Sequence, residues 1–243
     1  MKTYGSIKFS TVDAPASVKA LGICENYTYK SSNQVYEILD EEALAGIVLH
    51  GAKGELSFSV TPEGGVTALN PRAGSEITVT GISTGKVIVP SISAKWQRGQ
   101  PMTMDVTATH YHGVSATASG TITPGAITLA RTGGALVLPT DKVWFSVVGL
   151  TAPVAGIVQS CSINESVQVQ EEEDADGIIS ALALYGYKAN VSMEILSAVA
   201  LSDAALEAGT EIDAFGGFTI TGSEEKWSKN GMRSISVEGI LLP

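Results

Sequence analysis

"HGAKGELSFSV", residues 50–60, and "YGYKANVSMEI", residues 185–195, decide the fold between them. Gly51, Lys53 and Ser57 of the first stretch match Gly186, Lys188 and Ser192 of the second, while Leu56, Phe58 and Val60 match Val191, Met193 and Ile195. After each glycine the apolar residues fall at every second position, the period of a strand with one buried face. Two such strands with the same signature predict one fold present twice.

Working outward from this pair, further matches follow in the same order. "AGSEI" (73–77) matches "AGTEI" (208–212), and "KWQRGQPMTMDVTA" (95–108) follows "KWSKNGMRSISVEG" (226–239), anchored on Trp96 and Trp227. Upstream, Gly22-Ile23 pairs with Gly156-Ile157, and "NQVYEILD" (33–40) with "VQVQEEED" (167–174). All lie at offsets of 131 to 135 residues. Self-similarity at a fixed period marks a repeated architecture. The division it implies is a first β-domain over 1–109 (repeat core 22–109), a Gly/Ala/Thr-rich arm or hairpin connector over 110–142, and a second β-domain over 143–243 (repeat core 156–241).

Nearly all remaining signals are strands. "EITVT", "KVIV", "MTMDVTAT", "VWFSVV", "CSINESVQVQ", "GFTI" and "SISVEGI" alternate or are β-branched-rich. "SDAALEAG" (202–209) is the best helix candidate, with Ser202 or Asp203 as cap and Gly209 as stop. In the first copy Pro71 limits the corresponding "ALNPRAG" to a turn. "TITPGAITL" (121–129) reads as a hairpin turning at Pro124-Gly125, in an arm that packs on a neighbouring domain or subunit. The expected class is mainly β: two tandem duplicated antiparallel β-barrel or sandwich domains, each with one short helix at most.

Composition narrows the function. The 243 residues are 44% hydrophobic and only 16% charged, too apolar for disorder. No stretch reaches the roughly 18 consecutive apolar residues of a membrane span. The first 22 residues lack the apolar block of a secretory signal, and no membrane partner is expected. Net charge is −10: residues 1–155 carry 11 acids and 11 bases, whereas 156–243 carry 14 acids and 4 bases. Such a surface repels phosphate, so specific nucleic-acid binding is not expected. Cys24 and Cys161 are too few for a disulfide framework and read as buried small hydrophobes.

Motifs that could carry chemistry weaken on inspection. Gly81-Ile82-Ser83-Thr84-Gly85 matches the G-x-S-x-G nucleophile elbow literally. Yet Ala73 to Trp96 is 23 positions and Ala208 to Trp227 only 19, so the second copy drops four residues where this motif lies. An elbow also needs a following helix, and "KVIVPSIS" starts none. Ser83 therefore reads as a turn serine, and a triad of Ser83, Asp105 and His110 has no support. "GISTGKV" lacks phosphate-loop spacing. His110-Tyr111-His112 could place two metal ligands together, but only His50 and the two cysteines remain to complete a site. In "EEEDADG" (171–177), Glu172, Asp174, Asp176 and Gly177 mimic a calcium loop, but Ala183 stands where its bidentate Glu belongs. A solvated acidic turn is the default reading, and "DEEALAG" (40–46) occupies the same place in the first copy. Trp96 and Trp227 read as core or domain-edge residues in equivalent positions. No catalytic residue, metal or cofactor is expected.

A β-rich duplication with an uncharged Ala/Ser/Thr/Gly surface and no catalytic signature resembles the tail-tube-like virion proteins of bacteriophages. The resemblance is one of architecture over residues 22–109 and 156–241 and carries over no family residue. It implies rings of a small β-barrel or sandwich. In fused members, three chains form a pseudo-sixfold ring. It also implies assembly in the host cytoplasm, copies of the chain itself and other virion proteins as partners, and DNA passing through a lumen. In that setting the acidic turn Glu171, Glu172, Glu173, Asp174 and Asp176 is expected to face a channel or its rim. A head–tail joining, terminator or decoration protein is a further virion reading. A cell-surface or carbohydrate-binding tandem β-sandwich is the alternative of another class.

Overall fold

Period-two alternation dominates the sequence, and strand dominates the result. The computed structural model describes residues 14–39, 44–61, 70–98, 100, 102–115, 118, 131–132, 149–150, 156–197, 206–212, 217–227 and 233–241. A four-residue helix, α1 (Ala16–Lys19), is followed by β1 (Ile23–Leu39), β2 (Leu44–Thr61), β3 (Lys86–Gln97) and β4 (Thr103–Tyr111). Two short strands come next, β5 (Arg131–Thr132) and β6 (Gly149–Leu150). Then follow β7 (Gly156–Glu173), β8 (Ile179–Ser197), β9 (Glu211–Ile212), β10 (Phe218–Trp227) and β11 (Arg233–Leu241).

The chain is mainly β and antiparallel throughout. Nine strands form one sheet in the order β1-β2-β4-β3-β7-β8-β11-β10-β9, and β5 pairs only with β6. The order β1-β2-β4-β3 recurs as β7-β8-β11-β10. Irregularities recur with it: bulges at Cys24/Asn26 and Ser32/Gln34 on β1 have counterparts at Val158/Ser160 and Ser166/Gln168 on β7. A third falls at Ile88/Ser91 on β3 and at Ile220/Gly222 on β10. Gly51 and Gly186 face the second pair of bulges with φ of 61° and 62°, the left-handed region where a side chain would be strained. The glycine of "HGAK" and "YGYK" is therefore set by backbone geometry.

The buried faces of both halves merge. Leu56, Phe58, Val60, Ile92 and Val106 lie in the same hydrophobic cluster as Ile163, Met193, Ile195, Phe218 and Ile235. No gap in the pairing separates two domains, because β3 and β7 hydrogen-bond directly.

Several local expectations need correction. "EITVT" forms no strand beyond a single bridge from Glu76 to Ile88; Ile77 bonds Val87, and the chain then turns at Val79–Ile82. "KVIV" does not stop at Pro90 but continues to Gln97, since the proline occupies the β3 bulge, where no ladder bond is lost. β4 runs on to Tyr111. Leu206–Gly209 is a turn and not helix, while 198–205 and the 121–129 hairpin lie outside the described residues.

Candidate assembly edges

Strands β3 and β7 show how one half of the molecule docks on the other. Seven residue pairs run antiparallel from Ser91↔Ser166 to Gln97↔Ser160. On the outer face Ser93 Oγ donates to Asn164 Oδ1 at 2.7 Å. On the inner face Trp96 sits opposite Cys161, and both are buried. Beyond the ladder, the Arg98 amide bonds the Gln159 carbonyl at 2.7 Å.

One buried ion pair locks this seam. Glu165 has a fully buried side chain; its Oε1 accepts from Arg72 Nε at 2.6 Å and its Oε2 from the Ala73 amide at 3.0 Å. Arg72 Nη2 also donates to the Tyr187 hydroxyl at 2.7 Å. Burial first, and Glu165 second, push the Tyr187 phenol above its usual pKa. Sequence reading missed this pair. Its signal was present: Cys161, Ile163, Glu165 and Val167 share one face of β7, so the alternation itself places a carboxylate inside.

The β7–β8 hairpin also meets the middle of β2. Lys53 pairs with Glu171, and the Gly51 amide bonds the Gly177 carbonyl at 2.9 Å. Tyr111 packs beside them, its phenol raised by burial and then by the charge of Glu171. Glu171 is thus tied to the first hairpin, unlike its neighbours Glu172, Asp174 and Asp176, which are exposed. Asp174 Oδ1 accepts from the amides of Asp176 and Ile178, both at 2.9 Å, so this acid shapes the turn. Among the described residues, no three His, Cys, Asp or Glu side chains are grouped to hold a metal ion.

At the sheet ends the same edges recur without partners among the described residues. β1 is terminal, and β10 is covered over Phe218–Ile220 by β9 together with Gly209 and Thr210. Trp96 is 8% exposed inside the seam, whereas Trp227 is 68% exposed at the edge. There Trp227 stacks under the Arg233 guanidinium at 4.0 Å, which in turn pairs with Glu225. The two tryptophans hold equivalent strand positions; β7 lies beside Trp96, and Ala94 and Met102 of the first copy are replaced by Glu225 and Arg233 around Trp227. Lys188 and Glu37 are exposed.

Residues with catalytic associations are occupied otherwise. His110 Nε2 donates to the Thr84 carbonyl at 2.6 Å, leaving Nδ1 to accept from the Tyr29 hydroxyl at 3.1 Å in the neutral ring. His110 is buried, whereas Asp105 is exposed on the opposite face of β4, bonded by Ser59 at 2.7 Å. The two cannot join Ser83 in a triad. Ser83→Ala should change stability by less than about 0.5 kcal/mol, as at ordinary surface positions, read by urea unfolding. The His112 ring packs 4.0 Å from that of His110, and burial lowers its pKa.

Both thiols are buried. Burial pushes Cys161 up to about 12 and raises Cys24 as well. A thiol-specific dye should label neither until the protein is unfolded; labelling of the native chain would contradict the packing. No known family model matches the chain, and no curated protein matches its sequence.

Proposed function

We propose that this protein is a virion structural subunit that builds a ring or tube in a phage tail, each chain contributing two like units of a pseudo-symmetric wall. The observation carrying this reading is the β3–β7 seam: two halves of the same strand order joined edge to edge, with β1 and the rest of β10 beyond Ile220 unpaired on their outer sides among the described residues. An edge left unpaired is an association hazard that a monomer would be under pressure to block. A head-to-tail contact of one repeated type uses it and closes when the rotation allows. Of the virion positions, a ring or tube fits this linear chain of edges better than a decoration or joining role.

The exposed acids of the 171–176 turn face the lumen or its rim in this proposal. A negative wall keeps passing DNA from sticking, because it offers no partner to phosphate. Light scattering and negative-stain images of concentrated protein should show rings or tubes. A monodisperse monomer at every concentration defeats the proposal. Glu172→Lys with Asp176→Lys should leave assembly intact and impair DNA passage, read as reduced infectivity of particles carrying the variant. Glu171 is left unchanged in that test because it holds Lys53.

A further inference from the structure

The internal seam is a template for a contact between chains, and the repeat lets it be transferred residue by residue. β1 maps on β7 at an offset of 134 residues, because Tyr27 faces Phe58 on β2 as Cys161 faces Met193 on β8, with both bulges in step. β10 maps on β3 at an offset of 131. The Gly74 amide bonds Val89 at 2.8 Å as the Gly209 amide bonds Ile220 at 2.8 Å, and Ala94↔Met104 corresponds to Glu225↔Ile235.

We propose that a second copy of this chain docks its β1 on the open edge of β10, antiparallel, with Lys30 opposite Glu224, Thr28 opposite Lys226 and Tyr27 opposite Trp227. This rests on the ring reading above and specifies its joint.

Three features outside the mapping agree with it. Where the seam has the Ser93–Asn164 hydrogen bond, the new register sets Glu224 against Lys30, opposite charges on one face. Trp227, 68% exposed in the single chain, gains the cover that β7 gives Trp96. Further, the residues of the Lys53–Glu171 contact recur in the repeat as Lys188 and Glu37, which make no ion pair to each other among the described residues. In the docked arrangement Lys188 of one copy meets Glu37 of the next. This joint also places the acidic half of one chain on the neutral half of its neighbour, whereas β10 on β10 would oppose two acidic halves.

The test uses the full chain. Thr28→Cys together with Lys226→Cys should give a ladder of covalent multimers under mild oxidation, with each single-cysteine variant giving none beyond background. Lys188→Glu and Glu37→Lys should each weaken self-association about tenfold or more, and the double variant should recover it, since opposite charges are restored in exchanged places. Both positions are exposed on strands, so circular dichroism and unfolding midpoints should stay at wild-type values; an unfolded single variant is replaced by Lys188→Gln and Glu37→Gln, which should weaken association without rescue in combination. Assembled wild-type particles with no cross-link at Thr28–Lys226 and no charge-swap rescue overturn this register but leave the ring reading standing. A chain that never associates overturns both.

Discussion

Replacing Glu165 with alanine is expected to lower the unfolding free energy by about 3–5 kcal/mol, the cost of removing one partner from a buried ion pair. The mutation leaves Arg72, whose side chain is 12% exposed, without the Glu165 counter-charge and the Ala73 amide without that acceptor. Both losses act at one seam, so the effect should appear as a lower urea midpoint with an unchanged slope. Glu165→Gln keeps an acceptor and should cost less. The pair Arg72→Met with Glu165→Leu should recover much of the loss, because apolar replacement removes both desolvation penalties together. An alanine variant with a wild-type midpoint would mean that the pair adds nothing to stability.

The second large effect is expected at Gly85→Ala. Gly85 lies at φ 77°, and a Cβ there would overlap the Tyr111 carbonyl oxygen. The combination of a left-handed backbone and a backbone clash should cost about 3 kcal/mol or more, since neither the turn nor β4 can yield easily. At Gly81, φ is 97° with open space around the Cβ position, so Gly81→Ala should cost only the conformational part, about 1 kcal/mol. Thermal or urea unfolding of the two variants separates strain from collision. The glycines that mimic a nucleophile elbow thus serve a turn, with the Thr84 carbonyl held by His110 and Ser83 exposed between them.

Strand was legible where alternation is strict, as in "MTMDVTAT" on β4 and "NVSMEI" on β8, because a period of two leaves its mark on side-chain polarity, whereas β1 went unread. The matched glycines were legible too, since φ near 60° admits few other residues. "KVIV" was legible and its continuation to Gln97 was not, because the bulge that gives Pro90 a place without a ladder bond leaves no mark in the sequence. The four-residue helix α1 left no periodic trace at all. Edge-to-edge union of β3 with β7 was not readable, since backbone hydrogen bonds name no partner in the sequence. Trp96 and Trp227 show the limit most clearly: the same residue in the same strand position is buried beside β7 in one copy and exposed beside Arg233 in the other.

Arg72 and Glu165 have as their repeat counterparts Glu207 and Ser31, which cannot form an ion pair. Two kinds of joint would therefore alternate around any closed wall, one locked by a buried ion pair within each molecule and one held only by exposed charges between molecules. Such a wall has built-in fracture lines. Under stress it would shed intact polypeptides, and those fragments would keep the means to rebuild it.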